Sequence, residues 1–219
     1  MIETDLHFIH LHSFTYYNLY YLLSPEEYEE RISYLRQMFL YQADPLVLTD
    51  DKQATLFKAR TPEIIISDDE NTFLFGNDSL RIVVRPAKTP SKVSGLRYWW
   101  YIPLDVSDYD FFSLYWYGRN TGMRITLTFY SYEVLNGKRE DWRNQFLFEF
   151  VDAWEGWVRL IIPLSAFSVF CGEPRWDKIT CLDIRFTLDI ETEVTFYLDR
   201  VTFDRGVDEL LVIPLEKVG

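Results

Sequence analysis

The chain has 219 residues, which is enough for one core of sandwich size plus an appendage but is tight for two full domains. Its formal net charge of -12 disfavours nucleic acid and anionic membrane surfaces as partners, because their phosphate groups would repel it. An acidic chain suits a neutral glycan, a cation or a basic protein surface instead.

The first segment, residues 1–23, is rich in apolar and aromatic side chains. Such a segment does not stay exposed in water, so we expect it to dock on its own domain or on a neighbouring subunit. It contains His7, His10 and His12. On a strand His7 points away from the other two, so packed histidines are favoured over a zinc site, which would need outside ligands. No apolar run is long enough to cross a membrane, and no secretion signal is recognisable.

A helix is predicted from residue 25 to about residue 41. Ser24 can cap its N-terminus, Pro25 suits the first helical position, and Glu27 completes a capping box. A stripe of apolar side chains at helical spacing follows. Residues 42–62 resemble a polar connector, so the predicted N-terminal region spans residues 1–62 and the next domain begins near residue 63.

From residue 63 to residue 206 the sequence has the pattern of strands. Short runs of β-branched and aromatic residues alternate with polar ones, and turn-forming residues separate the runs. About nine or ten strands without intervening helices are typical of an all-β jelly-roll β-sandwich. The aromatic content of 18% fits this fold, because aromatic side chains favour pleated, half-buried surfaces. The predicted strands are 64–67, 73–75, 80–85, 97–104, 111–117, 123–132, 145–151 and three further runs between residues 156 and 201.

The two cysteines, Cys171 and Cys181, flank a turn-like break in this region. A bridge across the break is one reading. Two cysteines in a chain of this length do not make a disulfide framework, however, so we expect two thiols instead.

Three stretches resemble a known family. Residues 76–83, 104–118 and 156–204 are similar to packing and turn motifs of the β-jelly-roll carbohydrate-binding modules, and of the related intracellular domains named after a complex I assembly factor. The resemblance covers roughly residues 63–205 and implies a jelly-roll sandwich. Residues 1–62 show no such resemblance.

The resemblance also implies a structural calcium, although no cofactor is required. Family members often hold this ion between an acidic segment near the first strand and the last strand. Asp199 stands at the matching position, and Asp68, Asp69 or Glu70 can supply the other side with the oxygen ligands that calcium prefers. The alternative is that Asp199 only caps a turn or pairs with a neighbouring arginine.

The resemblance further implies that a bound glycan lies on the outer face of one sheet. Strand alternation predicts the outward side chains on three strands, where tyrosine rings can stack on sugars and polar groups can meet hydroxyls. The alternative is that the N-terminal arm or another subunit covers this face. The predicted glycan-binding residues are Tyr115, Tyr117, Arg124, Tyr130, Tyr132, Gln145 and Glu149.

We expect no enzymatic activity. A glycoside hydrolase needs two carboxylates about 5 to 9.5 Å apart on one side of the substrate. Glu149 and Asp152 are three positions apart, so on a strand they point to opposite faces. The histidines that a Ser-His-Asp triad would need all lie in the N-terminal arm.

These observations favour a non-catalytic structural or binding protein of a larger assembly. A glycan-binding module normally works outside the cell, and a virion component made in the host cytoplasm reaches that place without a secretion signal. We therefore expect a phage tail or capsid protein that contacts partner subunits through the N-terminal arm and the apolar C-terminal tail, residues 207–219, and contacts host-surface glycan. The alternatives are a free-standing or enzyme-associated glycan-binding module and a cytoplasmic assembly-factor-like domain.

Overall fold

A computed structural model describes residues 46–49, 52–87, 93–131, 134–135, 138–139, 144–188, 190–206 and 211–215. The predicted helix at 25–41 and the aromatic arm lie outside these residues. Within them, strands are joined by loops and by three short 3-10 helices, and no helix there has the length and apolar content needed to span a membrane. The 3-10 helices are Gln53–Thr55, Leu164–Ala166 and Trp176–Lys178. The strands are β1 (Leu46–Thr49), β2 (Phe57–Ala59), β3 (Ile64–Asp69), β4 (Ser79–Val84), β5 (Val93–Leu104), β6 (Phe111–Arg119), β7 (Arg124–Ser131), β8 (Val134–Leu135), β9 (Lys138–Arg139), β10 (Asn144–Val151), β11 (Glu155–Pro163), β12 (Ser168–Cys171), β13 (Ile179–Thr187), β14 (Val194–Asp204) and β15 (Leu211–Leu215).

The strands form two antiparallel sheets that pack face to face. Sheet A has the order β15-β11-β6-β14-β4-β3, and β1 also pairs with β14. Sheet B has the order β12-β10-β7-β13-β5-β2, while β8 and β9 pair with each other. The chain changes sheet repeatedly, for example from β5 in sheet B to β6 in sheet A and back to β7 in sheet B. The prediction of an all-β jelly-roll sandwich is confirmed.

Aromatic side chains fill the space between the sheets. On β6 the side chains of Phe112, Leu114 and Trp116 are fully buried, as strand alternation predicts. The Trp116 ring lies 6.2 Å from Phe186 on sheet B and 5.2 Å from Phe196 on sheet A. Each fully buried ring of this kind contributes about 1.5 to 3 kcal/mol through removal of apolar surface from water. The core therefore uses the aromatic residues to join one sheet to the other.

The two sheets include strands outside the predicted 63–206 range. In the predicted connector, β1 pairs with β14 of sheet A and β2 pairs with β5 of sheet B. In the predicted C-terminal tail, β15 pairs with β11 and forms an edge of sheet A. Part of both flanking regions is thus built into the sandwich.

The predicted strand at residues 73–75 is wrong, because the structure has a loop there. The backbone N–H groups of Leu74 and Phe75 donate to Asp199 Oδ2 at 2.7 and 3.0 Å. The Asp199 side chain is fully buried and also accepts a hydrogen bond from Gln53 Nε2 at 3.4 Å. A carboxylate therefore satisfies the backbone donors that strand pairing would otherwise satisfy.

Neither Cys171 nor Cys181 is part of a disulfide bond. Cys171 lies on β12 and Cys181 on β13, and β10 and β7 separate these strands in sheet B. Three inter-strand spacings amount to about 14 Å, which is too far for a disulfide. The expectation of two thiols is confirmed.

Candidate functional site: the outer face of sheet B

The outer face of sheet B carries side chains in cross-strand rows. Residues that pair across antiparallel strands point to the same face, so the strand register identifies each row. The rows place polar, basic and aromatic side chains beside one another in the middle of the sheet. The first row is Trp99, Cys181, Tyr130 and Gln145; the second is Lys58, Arg97, Asp183, Thr128 and Leu147; the third is Gly95, Arg185, Thr126 and Glu149.

Asp183 is the centre of a charged cluster on this face. Its side chain is fully buried, and its Oδ2 atom accepts hydrogen bonds from three guanidinium groups. The donors are Arg60 Nη1 at 3.1 Å, Arg97 Nη2 at 2.9 Å and Arg185 Nε at 3.0 Å. Three positive charges around one carboxylate leave the cluster with an excess of two positive charges.

Tyr130 completes the cluster. Its hydroxyl donates to Asp183 Oδ2 at 3.2 Å and accepts hydrogen bonds from the guanidinium groups of Arg97 and Arg185. Burial raises the pKa of Tyr130 above its ordinary value, and the Asp183 charge adds to the rise. Burial alone would lower the pKa of Arg97, but the hydrogen bond and the charge of Asp183 outweigh it and raise that pKa. The phenol therefore keeps its proton and the guanidinium keeps its charge.

The bonding of this cluster is incomplete within the described part of the chain. Arg97 Nε and Asp183 Oδ1 are both buried, and neither has a hydrogen-bond partner among those residues. Buried polar atoms without partners are uncommon in folded proteins, and they indicate a place where water or a ligand completes the bonding. The cluster thus has hydrogen-bonding capacity that its own side chains do not use.

Trp99 supplies an aromatic surface next to the cluster. It is 39% exposed, which is unusual for so large an apolar side chain. The Arg97 guanidinium lies 5.2 Å from the Trp99 ring centre and 5.1 Å from that of Tyr130, so it is in contact with both rings. The arrangement holds Trp99 in place while part of its ring stays open for stacking.

Glu149 and Arg124 lie at the other end of the face. Glu149 accepts hydrogen bonds from Arg124 Nη1 at 3.4 Å and from Thr126 Oγ1 at 3.1 Å. Both charged side chains are exposed, so their ion pair contributes little stability. The strand register places the Cα atoms of Glu149 and Asp183 about 12 Å apart, two strands and two positions away from each other. Glu149 and Asp183 therefore belong to separate clusters of charged side chains on this face.

The predicted glycan-binding residues do not lie together. Arg124, Tyr130, Gln145 and Glu149 are on the outer face of sheet B, and Tyr132 lies outside the described residues. Tyr115 and Tyr117 are on β6 and point outward from sheet A, on the opposite side of the sandwich.

On sheet A both tyrosines belong to a second aromatic layer. The Tyr115 ring lies 4.7 Å from Phe75, and the Tyr117 ring lies 5.4 Å from Trp157. The guanidinium of Arg119 lies 4.7 Å from the Tyr117 ring centre. These rings already contact neighbouring side chains of their own chain, so the outer face of sheet A is largely packed.

The acidic residues proposed for calcium do not form a ligand set as the structure places them. Asp199 Oδ2 is occupied by two backbone N–H groups, and Asp68 Oδ1 accepts from Ala54 N at 2.8 Å. Glu70 is exposed. Across the described ranges, no three His, Cys, Asp or Glu side chains are grouped so that they could hold a metal ion. Calcium binding stays a prediction of the sequence resemblance.

The most distinctive residues of the face were missed by the sequence reasoning. They are Arg60, Arg97, Trp99, Asp183 and Arg185. The signal for four of them was present, because inward Tyr98 and Trp100 on β5 and inward Leu182 and Ile184 on β13 require outward neighbours. Arg60 follows β2, a strand that the sequence did not indicate.

Several solved structures share this fold. A family 11 carbohydrate-binding module from Clostridium thermocellum, in complex with a β-1,3-1,4-mixed-linked tetrasaccharide, matches with a TM-score of 0.58 at 11% identity over 75% of this chain and 98% of that one. A family 30 carbohydrate-binding module of a cellulosomal cellulase of the same organism matches with a TM-score of 0.55 at 13% identity over 76% of this chain and 99% of that one.

An enzyme also contains a similar domain. An exo-β-agarase matches with a TM-score of 0.53 at 11% identity over 75% of this chain but only 25% of its own. No protein-family model matches the sequence, and no curated protein matches it either. The resemblance to complex I assembly-factor domains stays a prediction. The sandwich therefore has the jelly-roll fold of carbohydrate-binding modules.

Proposed function

We propose that this protein binds carbohydrate, without catalysis, through the outer face of sheet B. The observation that carries the proposal is the partly exposed Trp99 ring beside three partly exposed arginines that are held by the buried side chains of Asp183 and Tyr130. A sugar-binding site needs an aromatic surface for the ring and a few fixed polar groups for the hydroxyls. The shared fold with carbohydrate-binding modules supports the same reading.

The side chains of this face are held in position before any ligand binds. Arg97 is fixed by Asp183, by the Tyr130 hydroxyl and by contact with two aromatic rings. A pre-ordered site loses little side-chain entropy on binding, which favours affinity. Among the described residues, the outer face of sheet A has no aromatic ring as exposed as Trp99, and the Tyr115 ring, for example, contacts Phe75.

A glycan array with the full chain tests the proposal, followed by calorimetric titration of the glycan that binds. The Trp99→Ala variant should lose most of the affinity, about tenfold or more, because the stacking surface is removed. Phe170→Ala is a control, since Phe170 is an aromatic residue of the edge strand β12 that is even more exposed than Trp99, at 64%. Tyr115→Phe on sheet A is a second control.

Two results contradict the proposal. The first is an array on which the wild-type protein binds no glycan. The second is a glycan whose affinity is unchanged by Trp99→Ala but falls with Tyr115→Phe, which would place the site on sheet A. Thermal unfolding of each variant checks that the sandwich is intact.

We also propose, from the sequence, that the protein is a component of a larger assembly, either a phage tail or a capsid. The support is the apolar and aromatic character of residues 1–23, which predicts contacts with partner subunits. Size-exclusion chromatography with light scattering is the test. A monomer whose two ends are cleaved readily by protease would contradict an assembly role and favour a free-standing glycan-binding module or an assembly-factor-like domain.

A further inference from the structure

The outer face of sheet B is basic although the whole chain is acidic. Among the described residues, its outward charged side chains are five basic and two acidic ones, which together carry a net charge of +3 (five minus two). The chain as a whole carries -12. Surface charge of one sign in a limited region raises the local concentration of ligands of the opposite sign. The basic residues are Lys58, Arg60, Arg97, Arg124 and Arg185, and the acidic ones are Glu149 and Asp183.

The three arginines around Asp183 have more donors than their partners among the described residues use. Each guanidinium group offers five N–H donors. Within the described residues their hydrogen bonds go only to Asp183 Oδ2 and to the Tyr130 hydroxyl. Arg97 Nε is buried and has no partner there. A surplus of fixed cationic donors is suited to an anionic group and exceeds what neutral hydroxyls require.

Two of these arginines flank a position that has no side chain. Arg185 pairs in register with Gly95, and the backbone N–H of Arg60 donates to the Gly95 carbonyl at 2.9 Å. A Cβ atom at Gly95 would lie 1.9 Å from the Ile184 carbonyl oxygen, so no other residue fits. The backbones of Arg60 and Arg185 therefore both adjoin Gly95, and their guanidinium groups meet that of Arg97 at Asp183 Oδ2.

We propose that the ligand of this face is an acidic sugar, whose carboxylate or sulfate group is bound by Arg60, Arg97 and Arg185 while its ring stacks on Trp99. This inference rests on the proposed function, since it names the class of carbohydrate bound at the same site. Arginine holds planar carboxylates and sulfate-like groups through paired N–H donors. Asp183 acts as a positioning residue, because it fixes all three guanidinium groups.

Matched pairs of glycans test the inference with the full chain. Three pairs are used: an oligogalacturonide and its methyl ester, a sialylated glycan and its desialylated form, and a sulfated oligosaccharide and its desulfated form. The acidic member of at least one pair should bind about tenfold more tightly than its neutral partner. The preference should shrink as NaCl rises from about 50 mM to about 500 mM, because salt screens exposed charge. The pair that shows the effect tells carboxylate from sulfate.

Equal binding of both members of every pair would overturn this inference and leave carbohydrate binding intact. Failure to bind any glycan would overturn the proposed function as well. The two failures are therefore distinguishable in one experiment.

Arginine variants test the assignment of residues. Arg60→Gln and Arg185→Gln should each weaken binding of the acidic glycan about tenfold and binding of its neutral counterpart by much less, so that the preference for the acidic member falls. Arg119→Gln is the control, since Arg119 stacks on Tyr117 at sheet A. Equal weakening of the acidic and neutral glycans would indicate a merely structural effect and overturn the assignment. Arg60→Lys keeps the charge but not the paired donors, so it should give an intermediate loss of affinity for the acidic glycan. This variant replaces Arg60→Gln if the glutamine variant does not fold.

Discussion

The Asp183→Asn variant should be much less stable than the wild-type protein. The Asp183 carboxylate is fully buried and accepts hydrogen bonds from three guanidinium groups, so asparagine leaves three neighbouring positive charges without a counter-charge. Removing one partner from a buried ionic cluster costs about 3 to 5 kcal/mol. The Arg60 side chain is 37% exposed, against 21% and 22% for Arg97 and Arg185. Water therefore screens part of its charge, and we expect the lower end of the range, about 3 kcal/mol.

Urea unfolding with linear extrapolation measures this loss directly. Asp177→Asn is a matched control, because Asp177 also pairs with an arginine, Arg175, but at a site where the two side chains are 29% and 60% exposed. The control should lose much less stability, because water screens this exposed pair. Equal losses for the two variants, with circular dichroism showing both folded, would refute the view that Asp183 holds the three arginines in place.

Three further predictions concern the core, a close contact at a glycine of β6 and a titrating group. Trp116→Ala should lower the free energy of unfolding by about 3 to 5 kcal/mol, because the ring is fully buried between the sheets; a loss below about 1 kcal/mol would contradict its core position. Gly118→Ala should lower the free energy of unfolding by about 1 to 3 kcal/mol, since the new Cβ would lie 2.5 Å from Asp152 Oδ1. Gly122→Ala is the comparison: its Cβ would meet nothing within 4 Å, so the loss should be only about 1 kcal/mol, from the strain of a positive φ of 71°. Thermal unfolding that ranks the two variants in the opposite order would contradict this. Ultraviolet titration should show Tyr130 ionising above its ordinary pKa of about 10, mainly because it is buried. The folded protein holds this proton more tightly than the unfolded chain, so the contribution of Tyr130 to stability is present below about pH 10 and is lost as pH rises through the higher folded pKa. Tyr130→Phe should remove that pH-dependent part, and an ionisation at or below the ordinary pKa would contradict the buried environment.

Local patterns predicted the strands better than their arrangement. Alternation of apolar and polar residues is fixed by the geometry of a strand, and it identified the inward side chains of β6 and β7 correctly. Sheet membership depends on the connection between strands. Consecutive strands pair about two times in three, but the turn between β6 and β7 crosses from one sheet to the other. Alternation alone therefore predicts Tyr115 and Tyr130 on one glycan-binding surface, although they lie on opposite sides of the sandwich.

The charged cluster was beyond what spacing can predict. Asp183 meets arginines that are 123 and 86 positions away, and no local pattern joins residues 60, 97 and 183. Alternation along β13 would have placed Asp183 and Arg185 on the outer face. Their partners follow only from the order of β2, β5 and β13 in sheet B, which is a property of the whole fold.

The segment from Leu46 to Ala59 bears on whether the protein aggregates in solution. Its two short strands, β1 and β2, close off one flank of β14 and one flank of β5, in different sheets. A bare strand flank is a template for pairing with foreign chains and for aggregation. Detachment of this one stretch would expose both strand edges at once, so the stretch protects both sheets from self-association. A polypeptide truncated to begin at residue 63 would therefore be prone to aggregate.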